Sequence, residues 1–373
     1  MTTLKITNGH VVDTENGTIF QDDVYVDNGR ISTAMDDVDV TFDARGAYIA
    51  PGFIDLHTHV FSHPLFETGR LESDRIGVRQ GVACVVDAGS SGAQTIDAFP
   101  QFVHRTQTTK TYAFINIGSP GLPNLGGGHA SRPELCDLPG VVEAIERHDW
   151  LVGVKVLASA SHTGSFGLEA VKLARKAAEI TGKPMMLHIG NAPPLIDDVL
   201  DLLRPGDIVT HTYHGKVGGV LGYKDAVIDP FRAAVERGVI VDLGHGRSSF
   251  SFRVCAAALE AGMPVNTISS DLHRGNVDRY AVSLARTMSK MRTLGMSLME
   301  VVRAVTVNPA RAVGLDDFGV VRNGSPAHLT LFTEEPTDIE FEDAEGEKRA
   351  ASVWIDAKGA FVDGVYHERS ETL

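Results

Sequence analysis

The sequence predicts an α/β protein, a (β/α)8 TIM barrel with a small β-sandwich domain built from both chain termini. Three observations point to this architecture. From about residue 49, short apolar runs alternate with polar or Gly-rich loops and helix-like stretches, a pattern typical of repeated βα units. Eight such runs occur, the number that closes a parallel barrel. Both ends of the chain contain instead short strands broken by turns.

The elements are predicted in order from the amino terminus. Short strands such as 4–6 and 24–26 come first, the second followed by the turn signal Asp27-Asn28-Gly29. The eight barrel strands are predicted at 48–56, 82–86, 111–117, 151–157, 184–189, 208–212, 239–243 and 265–269. Helices are predicted at 168–180, 253–259 and 298–307, with Gly182 and Gly262 after the first two and Asn308-Pro309 ending the third.

The strand-rich tail divides the chain into two predicted domains. Strands at 328–332 and 351–355 are expected to complete the amino-terminal β unit. Residues 1–50 together with 315–373 would then form the β-sandwich domain, and residues 51–314 the barrel domain. The acidic stretch 338–347 is predicted to be a solvated loop.

Charge and composition exclude several classes of function. The chain has 373 residues, of which 43% are apolar, enough for a large core. The 48 acidic residues exceed the 34 basic ones, giving a net charge of −14 that disfavours nucleic acid and anionic membranes as partners. No signal peptide or span of about 20 apolar residues is visible, so a cytoplasmic location is predicted. Cys84, Cys136 and Cys255 are widely spaced, which favours reduced thiols.

Residue types that bind metals stand at or near the carboxyl ends of five predicted barrel strands. His57 and His59 are at i and i+2, so both side chains leave the same face of a strand. Lys155 lies inside an apolar strand, where an unpaired ammonium costs several kcal/mol of desolvation. Three further runs end at His188, His211 and Asp271. Because the carboxyl ends of parallel strands meet at one face of a barrel, these side chains are expected to form one site.

These residues and their order resemble the amidohydrolase superfamily of binuclear metal hydrolases. The resemblance covers the whole chain, including the segment APGFIDLHTH at 50–59, which joins the β unit to the barrel. It implies one divalent ion on His57, His59 and Asp271, a second on His188 and His211, and a bridge from Lys155 carboxylated on N6. Zinc is the expected metal, while manganese, cobalt and iron also suit such nitrogen and oxygen ligands.

The resemblance also implies a reaction, the hydrolysis of an amide or ester. A hydroxide bridging the two ions would attack a carbonyl carbon polarised by one of them, with Asp271 as the proton shuttle. The two ions outweigh the negative charges of the carbamate, Asp271 and the hydroxide, which leaves about +1 at the site. This charge favours a small-molecule carboxylate substrate.

Loop residues distinguish members of this superfamily. Dihydroorotases carry an arginine two residues after the second histidine of His-x-His, where this chain has Phe61. Mononuclear deaminases lack the bridging lysine, which is present here as Lys155. The loops at 86–93, 188–191, 211–216, 244–246 and 270–273 are similar to an amidohydrolase/deacetylase subgroup often labelled dihydroorotase. Some of its members deacetylate 2-acyloxy carboxylates, so an O-acetyl 2-hydroxy acid is the expected kind of substrate.

Two other functions compete with deacetylation. One is a dihydroorotase-like cyclic amide hydrolase, and the other is a non-catalytic amidohydrolase-fold assembly protein, which the complete set of ligand positions disfavours. The candidates for contact with the substrate carboxylate are Tyr213, His214, Lys216, Arg247 and His273, each of which could equally pack a loop. The glycines at 126–128 predict a mobile loop rather than a phosphate cradle. A homo-oligomer is compatible with the sequence.

Overall fold

Seven parallel strands form the central sheet of the computed structural model, which describes residues 3–61, 71–105, 107–122 and 130–370. We number these strands β1 (Phe53–Thr58), β2 (Val82–Gly92), β3 (Lys110–Asn116), β4 (Leu151–Ala158), β5 (Met185–Ile189), β6 (Ile208–Thr210) and β7 (Ile240–Val241). Each strand pairs with its neighbour in the sequence, and every pair is parallel. The predicted glycine loop at 126–128 lies outside the described residues.

The segment from Thr267 to Leu272 closes this sheet into a barrel. Thr267 forms a parallel bridge to Asp242, which follows β7, and Leu272 forms a parallel bridge to Thr58 of β1. The predicted eighth strand is therefore present as two isolated bridges. A regular ladder is interrupted because Asp271, between them, has a left-handed backbone with φ 50°. The barrel architecture predicted from the sequence is confirmed.

One face of the strands packs in the barrel interior and the other packs beneath helices and loops, so every residue of β1, β2 and β4 is buried. The α-helices are Ser73–Ile76, Leu138–Arg147, Ala160–Thr163, Gly167–Thr181, Ile196–Leu200, Asp229–Glu236, Phe252–Glu260, Leu284–Thr293, Leu298–Arg303 and Val307–Ala312. Shorter 3-10 or π turns occur at Val78–Gln80, Ile96–Ala98, Pro100–His104, Pro133–Leu135, Gly164–Phe166 and Tyr223–Asp225. Across the described ranges, none of these helices combines the length and the apolar character needed to cross a membrane.

Strands from the two ends of the chain share a sheet outside the barrel. This six-stranded sheet has the order Val365–Glu368, Val353–Val362, Leu329–Pro336, Tyr48–Pro51, His10–Asp13 and Thr18–Gln21. A four-stranded sheet has the order Arg30–Ser32, Val24–Asp27, Thr3–Thr7 and Val40–Asp43. Leu329 pairs with Pro51, two residues before β1, so the chain enters the barrel from a strand paired with the carboxyl-terminal segment. The domain limits at 50/51 and 314/315 stay a prediction.

The acidic stretch 338–347 is not the solvated loop that its charge predicts. Glu340–Glu342 pairs antiparallel with Lys348–Ala350, and Phe341 has 0% of its surface exposed. Alternate residues of a strand face opposite sides, so one aromatic side chain can be buried between two solvated carboxylates. We call residues 340–350 the acidic ribbon.

The helix predicted at 298–307 is in fact two helices. Leu298–Arg303 begins with a capping box in which Ser297 and Glu300 exchange side-chain hydrogen bonds. The second helix, Val307–Ala312, contains Pro309 in its first turn. Proline does not end the helix there, because the amide groups of a first turn have no partner within the helix.

Candidate active site

The six residues predicted to bind metal all line one cavity of about 410 Å³ at the carboxyl ends of the barrel strands. They are His57 in β1, His59 just after it, Lys155 in β4, His188 in β5, His211 directly after β6, and Asp271 in the closing segment. The cavity is also lined by Leu122, Leu157, His162, His273 and Gly275. The structure thus brings together residues that are more than two hundred positions apart in the chain.

The Asp271 carboxylate lies between two imidazole rings. Its Oδ1 is 3.1 Å from His59 Nε2 and 3.5 Å from His57 Nε2. The Asn276 amide donates to the Asp271 carbonyl at 2.8 Å and holds the backbone in place. Burial by itself raises the pKa of Asp271, but the adjacent histidines outweigh burial and hold this pKa well below its usual range. The carboxylate is therefore charged at neutral pH.

Histidines from three strands meet beside Asp271. The ring centroids of His188 and His211 are 4.4 Å apart, and those of His57 and His211 are 4.9 Å apart. Ligand atoms of His57, His211 and Asp271 all lie within 4.8 Å of one another, so this group could hold a metal ion. Burial lowers the pKa of His211 to about 3 and those of His57 and His188 well below the usual value. The rings are therefore neutral, the form that binds metals.

A buried chain of hydrogen bonds fixes the tautomer of His57. The Thr210 hydroxyl donates to Asp242 Oδ2 at 2.6 Å, so its oxygen accepts the hydrogen bond from His57 Nδ1 at 2.8 Å. Nε2 of His57 consequently carries the lone pair. Asp242 also accepts from the hydroxyls of Thr267 and Ser269, at 2.6 and 2.7 Å, which satisfies this fully buried carboxylate.

The other ligand candidates are oriented in a similar way. His211 Nδ1 donates to the Gly244 carbonyl at 2.6 Å, which leaves its Nε2 available as a ligand atom. His59 Nδ1 is hydrogen-bonded to Ser90 Oγ at 2.9 Å. The backbone of His211 is left-handed, with φ 63°, and turns the chain sharply where β6 ends.

The Lys155 side chain is 1% exposed and lies against the histidine cluster. Its Nζ is 3.3 Å from His57 Nε2 and 3.3 Å from Met186 Sδ, an imidazole and a thioether. Burial lowers the pKa of Lys155 from 10.5 to about 8. The environment thus makes a neutral amine accessible near physiological pH.

The predicted substrate contacts are only partly at the cavity. His273 lines it, with its ring centroid 6.4 Å from that of His59. Tyr213 is fully buried outside the cavity, and its hydroxyl donates to a backbone carbonyl. Arg247 is exposed and lies over the Tyr280 ring at 5.5 Å.

His214 and Lys216 line a second cavity of about 550 Å³, beside Leu195 and Val217. His214 is 1% exposed, and its Nδ1 accepts from the Lys216 N–H at 3.1 Å. The structure therefore separates these two residues from the cavity that the six predicted ligands line.

Sequence patterns did not single out three residues at this site. His162 reaches the cavity from the helix Ala160–Thr163, with its ring centroid 5.2 Å from that of His188. It lies in a short helical turn, where no periodicity marks it. Thr210 accepts a hydrogen bond from His57 and donates one to Asp242, so both residues help to orient the imidazole. Asp242 is recognisable in the sequence because it follows the apolar strand β7.

A closed parallel barrel whose strand ends carry imidazoles, a buried lysine and a carboxylate defines a class of protein, the metal-dependent hydrolases built on a TIM barrel. The profile of the amidohydrolase family matches residues 48–360 of the chain. The chain belongs to the amidohydrolase family.

Individual relatives are named for different substrates. The chain is 37% identical to a deacetylase of Agrobacterium fabrum over 311 residues, which cover 82% of this chain and 75% of that protein. It is similar to the crystal structure of an adenine deaminase with a TM-score of 0.91 and 30% identity, covering 98% of this chain and 99% of that one. The crystal structure of a dihydroorotase gives a TM-score of 0.91 and 32% identity, covering 99% and 98%.

Proposed function

We propose that this hydrolase removes an acyl group, acetyl in the first instance, from a small carboxylate-bearing substrate such as an O-acetyl 2-hydroxy acid. The observation that carries the proposal is the convergence of all six predicted ligands on one cavity of about 410 Å³. Similarity to a deacetylase of Agrobacterium fabrum supports acetyl as the group removed.

The residues of the cavity fit two divalent ions. His57 and His211 are held through Nδ1 by Thr210 and Gly244, which leaves their Nε2 lone pairs for ligation. In this proposal His57, His59 and Asp271 would hold one ion, His188 and His211 would hold a second, and Lys155, once carboxylated, would be a ligand of both. Zinc is the proposed metal because imidazole and carboxylate oxygen are among its usual ligands.

Lys155 has the environment that carboxylation requires. The neutral amine adds to carbon dioxide, an N–C bond forms and a proton is released, so an anionic carbamate replaces a buried amine. The neutral ring of His57 lies 3.3 Å from Lys155 Nζ and adds no negative charge of its own. Divalent ions would stabilise the new anion, which links metal binding to the modification.

The chain's own groups supply proton transfer and orientation. Bound ions would provide an activated water and polarise the substrate carbonyl. Asp271, whose Oδ1 is 3.1 Å from His59 Nε2, accepts a proton from the attacking water and delivers it to the leaving oxygen or nitrogen. His273 lines the same cavity and can hydrogen-bond to the substrate carboxylate.

Elemental analysis of protein purified with bicarbonate is the first test, and about two metal equivalents per chain are expected. Acylated hydroxy and amino acids are then assayed, with dihydroorotate and adenine as comparison substrates.

Lys155→Ala is expected to lose most of the metal and the activity. Asp271→Asn is expected to lower kcat by about 10²- to 10⁴-fold while keeping some metal. Full activity in Lys155→Ala would contradict the bridged site.

A dihydroorotase-like cyclic amide hydrolase is the second candidate, favoured by the similarity to a dihydroorotase structure. Phe61 opposes it, because dihydroorotases carry an arginine at this position. The Phe61 side chain is instead 0% exposed and stacks on Phe99, with ring centroids 5.5 Å apart. A strong preference for dihydroorotate would establish this alternative and leave the metal site intact. Absence of metal from every preparation would favour the assembly protein. A cytoplasmic location, the partners and a homo-oligomer stay predictions.

A further inference from the structure

Outside the catalytic cavity, Lys290 and His245 form a buried hydrogen-bonded pair. Lys290 lies in the helix Leu284–Thr293 and is 0% exposed, and His245, which follows β7, is 3% exposed. Lys290 Nζ is 2.7 Å from His245 Nε2 and donates to the Glu342 carbonyl at 2.9 Å. Burial lowers the pKa of Lys290 to about 7 and the pKa of His245 well below its usual value. The reaction proposed above uses neither side chain.

The hydrogen bonds of this pair have one direction. His245 Nδ1 lies 2.9 Å from the Gly246 carbonyl, which can only accept, so Nδ1 carries the hydrogen. His245 Nε2 therefore accepts from Lys290, and it does so whether Lys290 is an ammonium or a neutral amine. The imidazole also stacks on Phe250, with ring centroids 5.0 Å apart, so its plane is fixed as well.

The residue after His245, Gly246, lies against Asp271. The N–H groups of His245 and Gly246 donate to the carbonyls of Ser269 and Ser270, both at 3.0 Å. Gly246 is left-handed, with φ 56°, and a Cβ there would lie 2.6 Å from Asp271 Oδ2. The backbone of the Gly246 turn thus packs against the Asp271 carboxylate.

The other end of the pair is held by the acidic ribbon. Its Glu342 carbonyl accepts from Lys290, and Asp343 Oδ2 accepts from the Phe252 N–H at 2.7 Å. The ribbon therefore contacts both the helix that carries Lys290 and the start of the helix Phe252–Glu260, which follows the loop after β7. These contacts form a continuous brace from the carboxyl-terminal segment to Asp271.

We propose that Lys290 and His245 are positioning residues that hold the Gly246 turn against Asp271 and thereby set the direction of its carboxylate. The proposal rests on the proposed function, in which Asp271 is a metal ligand and a proton carrier. Lys290 acts through His245, and neither side chain touches the reacting atoms. Both effects of a misdirected Asp271, weaker metal binding and slower proton transfer, can be measured separately.

Lys290→Met tests the brace by removing the donor while keeping an unbranched side chain. Metal-free protein is titrated with Zn²⁺ against a chromogenic chelator in bicarbonate buffer. We expect the Kd of one zinc equivalent to rise by about 10- to 100-fold, the usual effect of losing a residue that orients a ligand. We also expect kcat to fall by about tenfold or more with KM within about twofold.

Arg286→Met is the matched control on the same helix. Arg286 lies over the ribbon residue Phe341 at 5.2 Å, so its loss disturbs the same packing without removing the hydrogen bond to His245. His245→Gln should keep the zinc affinity and kcat near wild-type values, because the glutamine amide can accept from Lys290 and donate to the Gly246 carbonyl. His245→Phe keeps a ring on Phe250 but loses both hydrogen bonds, and should resemble Lys290→Met.

Zinc affinity and kcat at wild-type values in Lys290→Met would overturn the proposal, as would an equal loss in Arg286→Met. If Lys290→Met does not fold, His245→Phe decides the question by the same two measurements. If the wild-type protein hydrolyses no acyl substrate, the proposed function fails, and the zinc titration still reports whether the brace orients Asp271.

Discussion

The proposed chemistry of Lys155 depends directly on pH. Burial lowers its pKa from 10.5 to about 8, so the neutral amine becomes more abundant as the pH rises through about 8. Carbon dioxide reacts with the neutral amine and not with the ammonium. At fixed dissolved carbon dioxide, we predict that zinc uptake by metal-free protein is about tenfold faster at pH 7 than at pH 6, and levels off above about pH 9. Bound zinc is measured in samples taken over time, and a rate independent of pH would contradict the prediction.

Thr210 connects the buried Asp242 carboxylate to His57. Thr210→Val keeps the shape of the side chain but cannot accept the hydrogen bond from His57 Nδ1, so the tautomer is no longer fixed. We predict about 10- to 100-fold weaker zinc binding, measured by competition with a chelator.

Thr212→Val is the matched control for this prediction. The Thr212 hydroxyl donates to the carbonyls of Val209 and Asp242, both at 3.0 Å, and contacts no imidazole by these bonds. Zinc affinity close to that of the wild type is expected. Equal affinities in the two variants would show that Thr210 does not orient His57.

At this scale, the sequence predicted the residues that interrupt apolar strands and missed those that support them. Lys155 and Asp271 are predictable because each stands in or after an apolar run, and the structure places both in the cavity. Their role as metal ligands stays a prediction. The sequence does not predict that Tyr213 is buried outside the cavity. The direction of a side chain beyond the end of a strand depends on tertiary packing, which hydrophobic periodicity does not reveal.

Among the elements, the Gly246 turn after β7 offers a test that separates backbone strain from contact with Asp271. Gly246 and Gly262 are both left-handed, but a Cβ at Gly262 would have no atom within 4 Å, whereas at Gly246 it would meet Asp271 Oδ2. We predict that Gly246→Ala and Gly262→Ala each lower the free energy of unfolding by at least about 1 kcal/mol. Only Gly246→Ala should reduce kcat, by about tenfold or more.

Urea unfolding measures the first effect and steady-state kinetics the second. If Gly246→Ala kept the kcat of the wild type, Asp271 would not depend on the shape of this turn. A loss of kcat in Gly262→Ala would indicate instead that any destabilisation of the barrel reduces activity.

Elements were predictable where local pattern decides them. The helix Gly167–Thr181 was predicted to within one residue at each end, because its apolar period and its terminal glycine are local signals. The eighth strand is predicted at 265–269, but the sequence does not predict that it forms only two bridges, or that the acidic stretch forms a ribbon, because tertiary contacts determine both. Asp271 takes its backbone conformation beside His57, and Phe341 is buried by neighbours that are distant in the sequence.

In the whole molecule, the carboxyl-terminal segment contacts the barrel at several points, two of which bear on the candidate site. Thr330 donates to the Gly81 carbonyl at 2.8 Å and accepts from the Phe53 N–H at 3.0 Å, which fixes the start of β1. The acidic ribbon contacts the helix Leu284–Thr293, where its Glu342 carbonyl accepts from Lys290. Both contacts involve residues beyond 314, the predicted end of the barrel domain. The predicted domain limits therefore separate the barrel strands from the strands of the terminal sheets. They do not imply that the barrel folds without the carboxyl-terminal segment.

A chain ended after residue 328 tests this dependence. It lacks the strand Leu329–Pro336, which pairs with Tyr48–Pro51. The side chain of Phe332 in this strand is 0% exposed, so its loss would expose the apolar surface on which it packs. It also lacks the ribbon carbonyl that accepts from Lys290. We predict loss of the cooperative unfolding transition by circular dichroism and loss of zinc binding, whereas a chain ended after residue 370 should keep both. Addition of residues 329–370 as a separate peptide should restore part of the zinc binding. Cooperative unfolding and full zinc affinity in the shorter chain would instead establish the barrel as an independent domain.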